Sequence, residues 1–460
     1  MTILSRPSAL VAAATFLGLV SASLAQTSSI ISPGSYTLFH PQTDLAGSQT
    51  SPGSLSEGLF TKLPFTVAAY TNVGYDDNLF FTHDNRTGSG FNSLGLNLGS
   101  HIGNLRTRLD ALLSAGVIAY WNRPGSAIAP NISLNLNFTH QFNERTVFGF
   151  STFTSYEQES NVATGLDQAS NQGNYFYSSN TFTLGYWLTH RISLITTYNV
   201  VTVLYDNSAA ALNNNYVQNT ISQQVRYLLL PTVNVALEFR YENDTYFHVN
   251  NDSDAEYLLA GADVTLSPKL SFAFRLGAQL REQHTTPSGT FLYPTFESTL
   301  TYEYRPESTV QWLNQLGLGE SSSSGQGYRE YYQTGLSINH SFGKKLKAVA
   351  ALTYSYNKYS GNNGTATTST VTTVGQTGTA IDQTNGIGFT GFNAGPNSVV
   401  INGNLGNFTE NILDLSVGVA YQVTRPFSVN AGYTFTRDFS SQVIRDYYRN
   451  RIYLGVQFAF

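Results

Sequence analysis

From residue 65 onward, apolar and polar side chains alternate along the chain with a period of two. One such segment runs Asn131, Ile132, Ser133, Leu134, Asn135, Leu136, Asn137, Phe138 and Thr139. Segments 233–242 and 270–281 follow the same rule. Successive side chains of a β-strand point to opposite faces, so this pattern predicts strands with one apolar and one polar face.

The connections between these segments alternate between short and long. The short ones are 103–104, 143–145, 189–191, 230–232, 267–269, 305–307, 343–345 and 424–426, and the long ones include 79–90, 122–130, 158–174, 206–214 and 360–407. Short turns at one rim and long loops at the other are typical of an outer-membrane barrel, whereas a soluble β-sandwich has no such rule. The chain is therefore predicted to be all-β, a transmembrane antiparallel up-and-down β-barrel.

Counting the alternating segments gives about 18 strands. The predicted spans are 65–76, 91–102, 105–121, 131–142, 146–157, 175–188, 192–205, 215–229, 233–247, 255–266, 270–283, 291–304, 309–319, 328–342, 346–358, 408–423, 427–437 and 447–460. An even count is expected for a single-chain bacterial barrel, and it places both ends of the barrel on one side. A slip of one hairpin would give 16 or 20 strands.

Aromatic residues gather near the predicted strand ends, as in Tyr120–Trp121, Tyr302–Tyr304 and Tyr447–Tyr448. Rings at headgroup level form two girdles around such barrels. Aromatic residues also favour strands in general, but their clustering favours girdles.

Residues 1–25 are predicted to be a secretory signal peptide. Arg6 precedes an apolar run over 9–20, and Ser23 and Ala25 supply the small residues that a signal peptidase needs. The run is too short to span about 30 Å of hydrocarbon. Residues 26–64 lack a sustained period and are predicted to be a flexible periplasmic or lumenal lead-in, and the barrel is predicted to occupy 65–460.

The composition agrees with an exported barrel. Charged residues make up 12% of the chain, the net charge is −5, and Cys is absent. A chain without Cys cannot use disulfides, so its stability must come from closed hydrogen bonding and packing. The small net charge predicts no nucleic-acid partner. We expect the protein in the bacterial outer membrane, in contact with lipid and lipopolysaccharide.

The last predicted strand resembles the β-signal of outer-membrane proteins. Tyr453 takes its polar or amphipathic position, Gly455 follows two residues later, and Phe458 and Phe460 take the two hydrophobic positions. The resemblance implies recognition by the outer-membrane barrel assembly machinery. It also implies that Phe460 is periplasmic, so the short turns are expected in the periplasm and the long 360–407 loop outside the cell.

By strand parity, both signs of charge are predicted to line the lumen. These pore-lining candidates are Arg106, Arg108, Asp110, Arg226, Glu238, Arg240, Glu242, Asp263, Arg275, Arg281, Glu297, Glu303, Arg329, Arg449 and Arg451. They could set a transverse field that orients polar solutes, or pair with one another and merely solvate the interior. Because paired charges in a wet channel add little stability, changes there are expected to alter permeability rather than folding.

Asp76, Asp77 and Asn78 follow one another at the end of the first predicted strand. Carboxylate and amide oxygens suit Ca²⁺, which makes these residues weak metal candidates. Asp and Asn also hydrogen-bond their own backbone in turns, and the sequence favours that role. No other metal site is predicted.

The longest loop, 360–407, is rich in Gly, Thr, Ser and Asn and carries one charge, Asp382. Structureless loops of this length are usually functional or disordered. We hypothesise that it folds into or across the pore mouth, with a surface loop or an extra hairpin as alternatives. Deleting 365–400 should then raise the single-channel conductance.

The first and last predicted hairpins resemble a known family. Residues 73–80, Val-Gly-Tyr-Asp-Asp-Asn-Leu-Phe, and the segments 425–438 and 446–452 are similar to outer-membrane β-barrel porins often found beside exopolysaccharide gene clusters. The sharp similarity is confined to these two hairpins. It implies a barrel and a transport role, and it supplies no catalytic residues.

These observations favour a pore over an enzyme. The eight histidines show no metal-ligand spacing, and neither a catalytic residue nor a cofactor is predicted. The leading hypothesis is passive or facilitated diffusion of small polar solutes through a charged lumen. The alternatives are a conduit for exopolysaccharide export, with the polysaccharide as its partner, and a surface structural or adhesin barrel.

Overall fold

The fold is described from a computed structural model. It describes residues 65–104, 106–158, 173–206, 215–248, 251–284, 289–319, 326–361, 407–442 and 445–460. The predicted signal peptide, the 26–64 lead-in and nearly all of the 360–407 loop lie outside these residues, so they remain predictions. Within the described ranges, no helix is long and apolar enough to cross a membrane.

The described residues form 18 β-strands, which confirms the predicted number. The strands are β1 (Phe65–Asp76), β2 (Ser89–Gly103), β3 (Thr107–Tyr120), β4 (Ile128–Gln141), β5 (Thr146–Glu157), β6 (Tyr175–Trp187), β7 (Ile192–Tyr205), β8 (Tyr216–Leu230), β9 (Val233–Tyr246), β10 (Ser253–Ser267), β11 (Leu270–Gln283), β12 (Gly289–Arg305), β13 (Ser308–Gly319), β14 (Gln326–Ser341), β15 (Leu346–Gly361), β16 (Phe408–Gln422), β17 (Phe427–Ser440) and β18 (Tyr447–Ala459). Several strands extend beyond the prediction. The largest difference at a strand start is β4, where Pro130, assigned to a loop, pairs with Val117 on β3.

Every strand pairs antiparallel with its neighbours in sequence, and β1 pairs with β18, so the sheet closes on itself. The closing register runs from Ala68 opposite Ala459 to Asp76 opposite Arg451. Beyond the last ladder pair, the Phe460 amide donates to the Val67 carbonyl at 2.8 Å. Closure removes both sheet edges, as a membrane-spanning sheet requires. The predicted all-β, up-and-down antiparallel barrel is confirmed.

The two faces of the sheet have opposite polarity. On β2, the side chains of Leu94, Leu96 and Leu98 are exposed on the outside, while Ser93 and Asn97, at positions of opposite parity, are buried inside. On β18, the side chains of Ile452, Leu454, Val456 and Phe458 likewise face outward. An apolar exterior and a polar interior are the pattern expected of a barrel surrounded by lipid.

The connections divide between the two rims as predicted. The short-turn rim carries the tight turns such as 231–232 and 268–269, and the long-loop rim carries the longer connections such as 77–88. Alternation also corrects part of the girdle prediction. Trp121 is 60% exposed on the outside, but its neighbour Tyr120 points inward and is buried.

Candidate functional site

The inward faces of β8 to β12 build a continuous charged wall, here called the ion-pair wall. Its residues are Arg226, Glu238, Arg240, Glu242, Asp244, Asp263, Arg275, Arg281 and Glu297. Strict alternation along each strand brings them all to the interior. The register between strands then decides which charge meets which.

Near the long-loop rim, the wall is centred on Arg281. Ala255 lies between Glu242 and Arg281 in the register, and its small side chain lets the two charged groups meet. The Arg281 guanidinium donates to Glu242 at 3.2 Å and to Asp244 at 2.5 Å. It also donates to the Ser253 hydroxyl at 2.8 Å. One cation therefore holds two carboxylates from the same strand.

The middle of the wall is centred on Arg240. Its Nε donates to Glu238 at 3.0 Å, and its two terminal nitrogens donate to the Glu297 oxygens at 2.9 and 3.2 Å. Gln224 donates a further hydrogen bond to Glu238 at 2.9 Å. The guanidinium carbon lies 5.0 Å from the centre of the Tyr257 ring, which adds a cation–π contact.

Toward the short-turn rim, one carboxylate lies between two guanidinium groups. Asp263 contacts Arg226 at 3.1 Å and accepts two hydrogen bonds from Arg275 at 2.9 and 3.3 Å. Ala236 and Gly261 separate the two arginines in the register, and their small size leaves room for both. Arg226, Asp263, Arg275, Glu238, Arg240 and Glu297 thus follow one another as a chain of alternating sign.

The burial of this wall corrects the expectation of ion pairs in open water. Arg240, Arg275 and Arg281 are 0% exposed. Removing one partner of a buried ion pair leaves the other charge uncompensated, which is strongly destabilising. Changes in the ion-pair wall are therefore expected to affect folding as well as permeability.

A second charged group lies near the long-loop rim, where β1 meets β18. The Asp76 carboxylate is fully buried and accepts hydrogen bonds from Arg449, while Arg451 Nε lies 3.8 Å from it. Sequence parity predicts that both arginines face the lumen, and both side chains are buried in the structure. Parity did not identify Asp76 as their partner, because β1 and β18 are separated by almost the whole chain.

The Asp76–Asn78 segment is engaged in hydrogen bonds, and most of them cross to β18. Asp77 accepts hydrogen bonds from the backbone and side-chain nitrogens of Asn450 at 2.6 and 2.7 Å. The Asn78 side-chain amide donates to the Tyr448 carbonyl at 2.9 Å, and the backbone N–H of Asn78 donates to the Asp76 carboxylate at 3.1 Å. This last bond is the predicted turn interaction. The carboxylate oxygens suggested for a metal therefore accept hydrogen bonds from β18, and the Asn78 side-chain oxygen accepts from Thr82 within the loop.

The remaining candidates lie at the rims. Arg106 is exposed in the turn before β3, so it is not on the barrel wall as predicted. Arg108 and Asp110 pair at 2.7 Å near the short-turn rim, where the Arg108 side chain is 65% exposed. Glu303 is exposed at the same rim, and Arg329 lies over the Tyr331 ring. Of these, Arg106, Arg108 and Glu303 are exposed at the short-turn rim, and Arg329 is half-buried.

The 77–88 loop folds inward, which the sequence analysis did not predict. Leu79 packs in an apolar cluster with inward-facing side chains of β2, β3, β4 and β18, among them Phe91, Tyr120 and Tyr453. Phe81 is buried as well, and Arg449 lies over its ring at 4.7 Å. The signal was present as the apolar run Leu-Phe-Phe directly after the Asp-Asp-Asn turn.

Sequence reasoning also missed several inward-facing charges. Extending the parity of β9 by one step would have added Asp244, and the parity of β16 would have added Glu410 and Asp414. Glu410 pairs with Arg445, which lies just before β18. Parity could not have assigned that arginine, since it lies outside the alternating segments.

Comparisons with known proteins add little to this picture. No protein-family model and no curated protein sequence match the chain. Similar solved structures include the FrpB iron transporter from Neisseria meningitidis, at 9% identity and a TM-score of 0.41 over 90% of this chain and 83% of that one. They also include the outer membrane protein OpdK from Pseudomonas aeruginosa, at 9% identity and a TM-score of 0.40 over 86% and 99% of the chains. A third is OccAB4 from Acinetobacter baumannii, at 11% identity and a TM-score of 0.38 over 88% and 100%. At these values, function has to be argued from the chain's own residues.

Proposed function

We propose that this protein is a pore of the bacterial outer membrane, through which small polar solutes diffuse past a charged lumen. The observation that carries the proposal is the polarity of the closed sheet, with leucines outside and ion pairs inside on the same strands. A soluble protein would not expose such an apolar band to water. No covalent step is part of the proposed mechanism.

The width of the barrel supports passage rather than a solid core. Barrels of 16 to 18 strands generally leave room for an aqueous channel, whereas eight strands are filled by side chains. Here the ion-pair wall occupies one side of the lumen and the inward-folded 77–88 loop narrows another. We propose that solutes pass the space between them, under the field of the exposed rim charges.

The surroundings follow from the same surface. The outward leucines and aromatic rings are proposed to contact lipid, with lipopolysaccharide at the long-loop rim. The strand that carries Tyr453, Gly455, Phe458 and Phe460 is proposed to be recognised by the barrel assembly machinery. In the closed barrel, Gly455 pairs with Asn72 and Asn430, so the same strand also completes the sheet.

Single-channel recording in a planar bilayer tests the pore directly. The full chain, refolded in detergent, should give stepwise conductance in salt without any partner. Arg108→Gln should shift the reversal potential in a salt gradient toward cation selectivity, and Glu303→Gln should shift it toward anion selectivity. Leu292→Ala, at a lipid-facing position that is 73% exposed, is the matched control and should leave selectivity unchanged.

Two results would contradict the proposal. A correctly folded barrel that stays silent at all voltages is not an open pore, and it would favour the exopolysaccharide conduit, which needs partners to open. If neither Arg108→Gln nor Glu303→Gln changes the ion selectivity of the conductance, ions do not pass these charges in the lumen.

A further inference from the structure

A cavity of about 290 Å³ opens into the lumen at the short-turn rim, beside β6 to β12. Its floor is formed by Arg226 and Asp263, at the end of the ion-pair wall. Trp187 and Ile195 line one side, and Asn234 lies among the polar residues of the lining. The cavity therefore combines a buried cation with an aromatic surface.

Arg226 has one unsatisfied donor at this floor. Its side chain is buried, with Nε donating to Gln224 at 3.0 Å and Nη1 at 3.1 Å from Asp263. Among the residues that the structure describes, Nη2 has no hydrogen-bond partner. An unsatisfied buried donor is costly, and a charged one especially so. A guanidinium in this state favours a ligand that brings an acceptor oxygen.

The local charge also favours an anion. Asp263 is shared between Arg226 and Arg275, and Arg275 also lies 4.0 Å from Glu238, so Arg226 ends the chain of alternating charges with a carboxylate on one side only. At the mouth of the cavity, Arg191 and Lys269 add two cations, against Glu303. A carboxylate or a phosphate group would complete the alternation of charge that the wall follows elsewhere.

The remaining lining selects among anions. Ser193, Thr265 and Thr301 contribute hydroxyl groups to the cavity lining, and the Trp187 ring packs against Ile195. Hydroxyl and amide groups hydrogen-bond a hydroxylated ligand, while an indole ring contacts its carbon skeleton. Inorganic phosphate can accept hydrogen bonds from the same groups, but it has no carbon skeleton to contact the indole ring.

We propose that this cavity is a binding subsite for small hydroxylated organic carboxylates, held by Arg226. The carboxylate would accept the Arg226 Nη2 hydrogen bond, and the carbon skeleton would lie toward Trp187. A role for this subsite in permeation rests on the proposed pore function. Binding of the ligand can be tested without measuring conduction.

Tryptophan fluorescence offers such a test, because the sequence has only three Trp residues. Trp121 and Trp312 are exposed on the outside of the barrel, so Trp121→Phe and Trp312→Phe leave Trp187 as the reporter. Glucuronate should give a saturable change in detergent, whereas glucose, which lacks the carboxylate, should give none. Inorganic phosphate should bind at least about tenfold more weakly than glucuronate, since it lacks the contacts to Trp187.

Substitutions then assign the binding to Arg226. Arg226→Gln should weaken glucuronate binding roughly ten- to hundredfold, the value of a hydrogen bond between charged groups. Arg226→Lys should retain part of the affinity. Lys345→Gln removes an exposed cation from the same rim but outside the cavity, and should leave affinity unchanged. Lys269→Gln, at the mouth, should weaken glucuronate binding severalfold, and unchanged affinity in this variant would count against the subsite if Arg226→Gln does not fold.

Equal responses to glucose and glucuronate would overturn the subsite, as would phosphate binding as tight as glucuronate or affinity unchanged in folded Arg226→Gln. Electrophoretic mobility of unheated samples reports whether each variant is folded. Conductance without saturable binding would support the pore and reject the subsite. Saturable, Arg226-dependent binding by a barrel that does not conduct would support the subsite and reject the pore.

Discussion

The Asp76 carboxylate at the end of β1 lies within 3.0 Å of the Nε of Arg449 on β18, although 373 residues separate the two in sequence. Asp76 is 0% exposed. With the hydrogen bonds from Asn450 to Asp77 and from Asn78 to Tyr448, this contact fastens the first strand to the last at the long-loop rim. The Asp-Asp-Asn segment is thus a device for barrel closure.

Breaking this contact should destabilise the barrel seam. Asp76→Ala leaves Arg449 buried without its main counter-charge, and loss of one partner from a buried pair costs about 3–5 kcal/mol. We expect the folded barrel to change its electrophoretic mobility at a clearly lower sample temperature than the unsubstituted protein does. Equilibrium unfolding in urea gives the loss in free energy of unfolding.

Asp110→Ala is the matched control for the seam, because its partner Arg108 is largely exposed. Exposed pairs contribute only about 0.2–1 kcal/mol, so this variant should unfold close to the unsubstituted protein. Equal losses in the two variants would show that the seam contact has no special weight.

Gly432 makes room for an aromatic ring of the predicted assembly signal. It pairs with Tyr453, and a Cβ added at Gly432 would collide with that ring. Gly432→Ala should therefore destabilise the barrel by roughly 1–3 kcal/mol, the usual cost of overpacking. The measurement is again equilibrium unfolding in urea.

Gly418 provides the comparison for this prediction, since it lies opposite Gly432 and an added Cβ would only reach the Ala431 carbonyl at 4.0 Å. Gly418→Ala should be nearly neutral. Combining Gly432→Ala with Tyr453→Ala should cost less than the sum of the two single changes, because the collision is then gone. Strict additivity would argue against the packing explanation.

The buried centre of the ion-pair wall should show a similar non-additivity. Arg240→Gln leaves Glu297 without its cation and Glu238 with only the more distant Arg275, and it is expected to cost about 3–5 kcal/mol. Arg240→Gln together with Glu297→Gln removes a charge of each sign and should recover part of that loss. A double variant less stable than either single variant would contradict the pairing.

Phe460 is expected to matter more for assembly than for stability. Phe460→Ala removes a lipid-facing ring whose centre lies 5.3 Å from that of the Phe458 ring. The backbone hydrogen bond from residue 460 to the Val67 carbonyl remains. We expect a several-fold lower amount of folded protein in outer-membrane fractions of cells, with refolding in detergent little changed. Phe439→Ala, another outward ring, should change neither amount. A parallel loss in detergent would indicate a packing role instead.

The sequence by itself determined which residues form strands and which face each one turns to the interior. Both properties are local, because a strand repeats every two residues and a slip would expose its apolar face. Hence the alternation placed Arg240, Glu297 and Arg449 in the lumen, and the spacing of turns gave the 18 strands and their two rims.

Only the tertiary structure decided which side chains contact one another. Asp76 finds Arg449 only because closure brings β1 beside β18, and Glu242 reaches Arg281 only because the register sets Ala255 between them. Register and closure depend on the whole sheet rather than on any one segment. The same holds for the inward course of the 77–88 loop and for burial of the ion-pair wall. Parity shows that a charge faces inward, but only packing shows whether it faces water.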